Sequence, residues 1–230
     1  MTLLKECLDS LNQKTSDPEL VELLLKIDDD DPETSEFISR YTSTIPLKVV
    51  VSPRKNGYGS LHEHYDSLAN ISESEFLMVF NDDIEMVTSG WEQRFLPYSG
   101  TNYILAVRNE RIRNGERSPI FENYNGNPSI PFDLYKNLGT LSHHPMLDDW
   151  WSLVTKAIRE QNFELEQWLD VTLWFKRPDG VETDFAADTT FLEGRQHINW
   201  KHWGSSALHD YINSLIAYMN RYPSRFIPQG

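Results

Sequence analysis

The chain has 230 residues, of which 39% are hydrophobic and 24% charged, a balance typical of a folded domain and not of a disordered tail or a fibrous repeat. Asp and Glu number 35 against 21 Lys and Arg, so the formal net charge is −14. Because nucleic-acid binding depends on clustered basic residues, this charge argues against nucleic acid as a partner.

The single cysteine, Cys7, excludes an intrachain disulfide and a multi-cysteine zinc site. Its apolar neighbours at helical spacing favour a buried place on an amphipathic helix. No run of about 18 apolar residues occurs, and residues 1–14 have neither a basic start nor a continuous apolar block. We therefore expect a cytoplasmic protein with no integral membrane segment.

Helices and short apolar strands alternate in the first half of the chain. In order, the pattern predicts a helix over 3–14, a strand over 21–27, a helix over 33–41, a strand over 47–51, a helix over 61–71, a strand over 76–80 and a helix over 88–95. The nearly continuous apolar segment VELLLKI is typical of a parallel strand covered on both faces. This alternation predicts an α/β fold with a doubly wound sheet.

The second half is predicted to continue as one domain, because neither an internal repeat nor a linker interrupts it. A strand over 103–107 is followed by a long surface loop over 109–131, which is rich in Asn, Gly, Pro and Arg. The remaining predicted elements are a short helix over 131–138, a helix over 146–161, a strand over 171–175, a turn over 177–180 and a helix over 206–221.

Two acidic clusters each follow an apolar strand. The first acidic cluster is Asp28, Asp29, Asp30 and Asp31, and the second is Asn81, Asp82 and Asp83. In open parallel sheets ligands bind beyond the carboxyl ends of the strands. We therefore expect the two clusters to face one ligand site. The alternative for the first cluster is a solvated charge run that caps the next helix.

Negative charges that converge on one site need compensation, and a hard divalent cation supplies it most simply. Mg²⁺ and Mn²⁺ take oxygen ligands and leave positions open for substrate phosphates, so either cofactor would let an acidic protein bind an anionic nucleotide. Calcium binding alone is the alternative, although the spacing does not match a helix-loop-helix calcium loop.

These residues resemble a known family. The segments CLDSL, VELLLKIDDDDP, LKVVVSPRKNGYGSLHEHYDSLA and SEFLMVFNDDIEM occur in the order found in GT-A-fold glycosyltransferases of the family-two type, which transfer a sugar from a nucleotide-sugar donor. The resemblance covers about residues 3–95. It implies a GT-A-like (Rossmann-like) α/β fold with a mixed, mainly parallel sheet flanked by helices. It also implies a single domain over 1–230, with a nucleotide-sugar half over 1–107 and an acceptor half over 108–230.

The resemblance implies the binding residues as well. Those for the nucleotide are Asp28, Asp29, Asp30, Arg54, Asn56, Gly57 and Asp82. Carboxylates accept hydrogen bonds from the base and the ribose, and a glycine at a helix start lets backbone N–H groups approach a diphosphate. The alternative for the glycine segment is an ordinary strand-to-helix turn. Arg54 or Lys55 either pairs with phosphate or is solvated.

For the metal, the resemblance implies Asp83 and Asp82 as ligands of Mn²⁺ or Mg²⁺. The usual family motif is Asp-any-Asp, and here Asn81 stands in its first position, which leaves Asp83 as the expected direct ligand. A second departure concerns the start of the family's sheet. Its members begin with a central strand before the first helix, so a sheet without that inner strand, or with a substitute for it, is expected.

The segment HHPMLDDWW matches the place where inverting members of the family carry an acidic residue at a helix start. Asp148 or Asp149 is therefore the expected catalytic base that deprotonates the acceptor hydroxyl. The alternative is a helix cap with favourable first-turn charge. Trp150 and Trp151 either stack on an acceptor sugar or belong to the core, and the core is favoured for at least one.

Taken together, the resemblance implies a metal-dependent transfer of sugar from a nucleoside diphosphate sugar, with UDP-sugar as the default, to an unknown acceptor hydroxyl. Inversion of configuration is expected, with retention as the alternative. The acceptor contacts are expected from loops over 109–131 and 197–203, where His197 and His202 either line a lid or are ordinary surface or core histidines. One alternative is a non-catalytic nucleotide-sugar or carbohydrate-binding relative. A nuclease or phosphoryl-transfer enzyme is a third, and the net charge of −14 argues against it.

Overall fold

The structure, a computed structural model, describes residues 2–113, 116–119, 125–175 and 206–226, with the side chains of 3–110, 125–175 and 206–226. Its α-helices are α1 (Thr2–Lys14), α2 (Pro32–Arg40), α3 (Leu61–Ala69), α4 (Phe132–Leu138), α5 (Leu147–Arg159) and α6 (Ser206–Arg221). Its strands are β1 (Leu23–Asp28), β2 (Leu47–Ser52), β3 (Phe76–Met78), β4 (Ile84–Met86), β5 (Ile104–Arg113), β6 (Glu116–Pro119), β7 (Ser129–Pro131) and β8 (Glu166–Phe175).

The strands form two sheets. β1 and β2 pair in parallel as a two-stranded sheet, and the other strands form a six-stranded sheet in the order β3-β7-β5-β8-β4 with β6 paired to β5. No hydrogen-bonded strand pair joins the two sheets within the part of the chain that is described. The expectation of an altered inner strand stays a prediction.

Helices cover both faces of the larger sheet because its strands alternate their side chains between two cores. Ile104 of β5 belongs to a core that α4, α5 and α6 complete, whereas Leu105 and Val107 of the same strand belong to a second core with Cys7 and Leu11 of α1. A third, smaller core joins α1 to β1 and α2 through three buried side chains, Leu8, Ile27 and Ile38. Thus α1 packs against strands of both sheets.

Most predicted elements are confirmed, with ends that differ by a few residues, and the last helix is confirmed at both ends. The α/β class and the mixed sheet are confirmed too. The share of parallel pairing is lower than expected, since two described pairings are parallel and four are antiparallel. Short strands such as β4 and β7, each three residues long, carry too little pattern to be recognised and supply antiparallel pairs.

Three predictions were wrong. The loop over 109–131 instead contains the end of β5 and all of β6 and β7, because the end of β5 and β6 pair through backbone groups while their sequence is polar and β7 is only three residues long. The helix over 88–95 is a short 3₁₀ helix, Trp91–Arg94, which begins after Gly90 in a left-handed conformation (φ 64°) and lies just before Pro97. β8 begins at Glu166, five residues before the predicted strand.

The predicted turn over 177–180 and the segment 197–203, with His197 and His202, lie outside the described residues. Among the helices described, none combines the length and the apolar character needed to cross a membrane.

Candidate functional site

The first acidic cluster begins at the last residue of β1, where basic side chains surround Asp28. Lys26 lies two residues earlier, on the same side of the strand, and its ammonium contacts the Asp28 carboxylate. The guanidinium of Arg54 lies 3.1 Å from Asp28 through Nε and 3.3 Å from Asp30 through Nη2. The structure therefore brings together three of the predicted nucleotide-binding residues, Asp28, Asp30 and Arg54.

Asp31, the last member of the cluster, is a helix cap. Its carboxylate accepts hydrogen bonds from the backbone amide of Thr34 at 3.0 Å and from the hydroxyl of Thr34 at 2.7 Å. These two bonds hold the pKa of Asp31 below its usual value. The capping interpretation is thus confirmed for Asp31, while the exposed side chains of Asp29 and Asp30 face solvent.

The segment after β2 is a tight turn that leads into α3. Gly57 has a left-handed conformation (φ 54°) and donates its backbone N–H to the carbonyl of Arg54 at 3.0 Å. Asn56 donates its own N–H to the Ser60 hydroxyl at 3.3 Å. A left-handed residue at this position is the reason for a glycine here. The turn keeps Arg54, Asn56 and Gly57 adjacent to the end of β1.

The second acidic cluster is a β-turn between β3 and β4. The backbone N–H of Ile84 donates to the carbonyl of Asn81 at 3.3 Å, which makes Asp82 and Asp83 the two central residues. Asn is a favoured first residue of such turns, so Asn81 has a structural reason to be there. Asp82 is exposed and Asp83 is partly exposed.

Electrostatics at the second cluster are dominated by negative charge. Burial raises the pKa of the Cys7 thiol to about 12, and the charges of Asp82, Asp83 and Glu85 add to this shift. Among the residues whose side chains are described, no group of three or more His, Cys, Asp or Glu forms a ready-made metal site. Two adjacent carboxylates nevertheless fit Mg²⁺ or Mn²⁺, because these ions are commonly held by one or two carboxylates together with substrate phosphates.

Helix α1 relates the two clusters in space. The Cys7 thiol lies 3.7 Å from the carbonyl oxygen of Asn81, at the end of β3. The next residue, Leu8, packs in one buried cluster with Ile27, which directly precedes Asp28. Two consecutive residues of α1 therefore lie against the turn that follows β3 and in the small core that holds the end of β1.

The candidate catalytic residues Asp148 and Asp149 lie in the first turn of α5, after Met146 as the cap residue. They are therefore not the cap, although first-turn carboxylates suit the positive end of a helix. Burial raises the pKa of Tyr65 in α3, and the neighbouring Tyr58 and Asp148 add to the shift. Asp148 is thus within electrostatic range of α3, which begins where the turn that carries Gly57 ends.

A second contact from α3 fixes the segment before α5. The Asp66 carboxylate accepts hydrogen bonds from the backbone amide of Leu141 at 2.8 Å and from the Thr140 hydroxyl at 2.6 Å. Trp150 and Trp151 are both core residues, at 2% and 1% exposure, so neither stacks on an acceptor. The core interpretation is confirmed for both.

Two surface grooves lie elsewhere. A groove of about 650 Å³ lies beside β2 and α2 and is lined by Ile27, Ile38, Val49 and Val51 among others. A second, of about 470 Å³, lies along α2 near Arg40. None of the predicted nucleotide, metal or catalytic residues lines either cavity.

Sequence reasoning missed three residues that contact this region: Lys26, Cys7 and Asn127. Lys26 had a signal, since it is the one basic residue of a strand that is otherwise mostly apolar, two positions before Asp28. Cys7 was expected to be a core residue, which its 5% exposure confirms, but its contact with Asn81 needs the tertiary structure. Asn127 lay within the segment predicted to be a loop.

Comparison with known proteins identifies the type of fold. No protein-family model matches the chain, and no curated protein matches it. Among solved structures, it is similar to residues 1–349 of TarS from S. aureus, a structure determined in complex with UDP. The TM-score is 0.55 at 14% sequence identity, and the match covers 96% of this chain and 68% of the other. The chain therefore has an α/β fold of the GT-A-like type.

Proposed function

We propose that this protein is a glycosyltransferase that binds a nucleoside diphosphate sugar, with uridine as its nucleoside, and transfers the sugar to an acceptor hydroxyl. The observation that carries the proposal is the position of the two acidic strand ends at consecutive residues of α1, Cys7 and Leu8. The similarity of the fold to that of TarS, whose structure was determined in complex with UDP, also supports the proposal.

Each part of the site has a proposed role. Asp28, Asp29 and Asp30 accept hydrogen bonds from the base and the ribose, and Arg54, Asn56 and Gly57 face the ribose and the diphosphate. Asp83 binds Mn²⁺ or Mg²⁺ directly, and Asp82 contributes to metal and nucleotide. When bound there, the ion neutralises the negative charge that develops on the departing diphosphate.

The proposed chemistry is a single displacement. Asp148 or Asp149 accepts the proton of the acceptor hydroxyl while the hydroxyl oxygen forms a bond to the anomeric carbon. The bond from that carbon to the diphosphate oxygen breaks on the opposite side, so the configuration is inverted and UDP is released. The acceptor stays unidentified.

A second candidate is a binding protein that holds the nucleotide sugar without transferring it. Asn81 in the first position of the acidic motif favours this candidate, as does the absence of a three-ligand metal cluster among the described side chains. UDP binding without hydrolysis or transfer in the presence of candidate acceptors would favour it over the enzyme.

Calorimetry with UDP, with and without Mn²⁺, tests the proposal. We expect binding to require the metal, and Asp83→Ala to weaken it about tenfold or more because the cation loses its direct carboxylate. The matched control is Asp210→Ala on the exposed side of α6, which should change the affinity less than about twofold. Equal UDP affinity of wild type and Asp83→Ala with Mn²⁺ would refute the role of Asp83.

A further inference from the structure

The backbone carbonyl of Val79 lies where the β3–β7 ladder has no backbone donor. In this antiparallel register Phe76 lies opposite Pro131 and Met78 opposite Ser129. One position earlier, the backbone N–H of Phe132 donates to the carbonyl of Glu75 at 2.8 Å. Hydrogen-bonded pairs alternate with other pairs in antiparallel strands. The second hydrogen-bonded pair after Glu75 is therefore Val79 with Pro128, and proline has no N–H to donate.

Asn127 supplies the missing donor from its side chain. Its amide Nδ2 donates to the carbonyl oxygen of Val79 at 2.8 Å. Asn127 is 1% exposed, and Pro128 beside it is buried as well. A buried carbonyl without a partner is costly, so a side-chain amide next to the proline extends the ladder by one bond.

This extra bond lies directly before the turn that carries Asp82 and Asp83. On the far side the turn is fixed by Ile84, which is fully buried and pairs with Phe175 of β8. At its centre the carbonyl of Asn81 is held by the N–H of Ile84 and the thiol of Cys7. On the near side, two residues before Asn81, Asn127 Nδ2 donates to the carbonyl of Val79.

We propose that Asn127 is a positioning residue, which fixes the backbone of the Asn81–Ile84 turn through Val79 and thereby sets the affinity for metal-bound UDP. The second half of this statement rests on the proposed function, whereas the first half concerns the chain alone. A residue that acts in this way is replaceable by any other donor to the Val79 carbonyl.

Replacing Pro128 can restore the hydrogen bond to the Val79 carbonyl that is lost when Asn127 is replaced. Asn127→Ala removes the donor, and Asn127→Asp removes it while keeping the shape of the side chain. In the double variant Asn127→Ala with Pro128→Ala, the backbone N–H of residue 128 becomes available to the same carbonyl. The control is Asn137→Ala in α4, whose Nδ2 makes a bond of the same kind to the Asp133 carbonyl at 2.7 Å on the exposed surface.

Two measurements are made on each variant: the hydrogen-exchange rate of the Ile84 amide without ligand, and UDP affinity by calorimetry with Mn²⁺. Both single variants at position 127 should exchange about tenfold faster, the change that loss of one buried hydrogen bond produces. Their UDP affinity should fall, the double variant should restore both values to within about twofold, and the Asn137 control should match the wild type.

The outcomes separate the two proposals. Unchanged exchange in both single variants overturns the positioning role, as does a double variant that stays as fast as Asn127→Ala. Faster exchange with unaltered UDP affinity, in a wild type that binds UDP, overturns the link to the site. A wild type that binds no UDP refutes the proposed function, and the exchange measurement still decides whether Asn127 fixes the turn.

Discussion

Glu22 shows how one carboxylate connects distant parts of this chain. It stands just before β1, and its Oε1 accepts hydrogen bonds from the backbone amides of Glu73 at 2.7 Å and Ser74 at 3.0 Å and from two serine hydroxyls, Ser72 and Ser74. Lys48 lies 2.8 Å from its Oε2. Burial alone would raise the pKa of Glu22, but these donors outweigh it and lower the pKa to about 2.

The first prediction concerns the free energy of unfolding of Glu22→Gln. Because the folded-state pKa lies below the ordinary value of 4.5, the carboxylate adds roughly 3 kcal/mol of stability above pH 4.5. That stability is lost as the pH falls from about 4.5 to about 2. Urea unfolding of both proteins should therefore show a large difference at pH 7 that shrinks towards pH 2.

Glu73→Gln is the matched control, because Glu73 also pairs with Lys48 but its side chain is 86% exposed. It should change the unfolding free energy by less than about 1 kcal/mol. A Glu22→Gln effect that stays constant between pH 7 and pH 2 would contradict the account of this carboxylate.

The adjacent aspartates show how far single residues follow from sequence. The four aspartates serve both as a helix cap and as part of the predicted site. Asp31 caps α2, whereas Asp28 and Asp30 form ion pairs with Arg54. A cap needs only an acidic residue before a helix that starts with proline, which the sequence displays. The ion pair with Arg54 joins the end of β1 to the segment just after β2. The parallel pairing of the two strands, with Asp28 opposite Ser52, brings these segments together.

At the scale of elements, α3 connects the nucleotide side of the proposed site to the acceptor side. It begins after the turn that carries Gly57, and its Asp66 holds the segment before α5 through Thr140 and Leu141. Burial raises the pKa of Tyr65 in α3, and Asp148 in the first turn of α5 lies close enough to this phenol to raise it further. We therefore expect changes in that turn to affect transfer more than nucleotide binding.

Asp148→Asn and Asp149→Asn test this expectation. If one of them is the base, that variant should lose about 100-fold or more of its transfer rate, since general base catalysis contributes at least this much. Its UDP affinity should remain within about twofold, because the change lies outside the nucleotide contacts. Asp170→Asn changes an exposed aspartate of β8 and serves as the control. Full transfer activity in both variants would refute the assignment.

The elements that bury many apolar side chains were predicted from the sequence, and those that bury few were not. The last helix has a clear buried stripe that includes Leu208, Ile212 and Leu215, and its predicted ends were both correct. The hairpin of β5 and β6 has polar residues and was mistaken for a loop, because a backbone ladder needs no apolar pattern. The contact of Asn127 with Val79 was hidden because it joins residues 48 positions apart in the sequence.

At the scale of the whole molecule, α1 is the element that unites the two sheets. Its buried residues join the second core on one side and the small core of β1 and α2 on the other. The alternation of strands and helices predicted an α/β fold, and the family resemblance implied its GT-A-like type. It did not reveal that β1 and β2 form a separate sheet, since strand pairing depends on long-range contacts.

The central claim is that one metal-bound nucleotide lies between the two acidic strand ends. Paramagnetic broadening of amide signals by substoichiometric Mn²⁺ in the presence of UDP tests it most directly. The account predicts that the amides of Asp28, Asp29 and Asp30 and those of Asp82 and Asp83 are all broadened, while amides of α6 keep their intensity. Broadening of only one of the two clusters, or of neither, would contradict it.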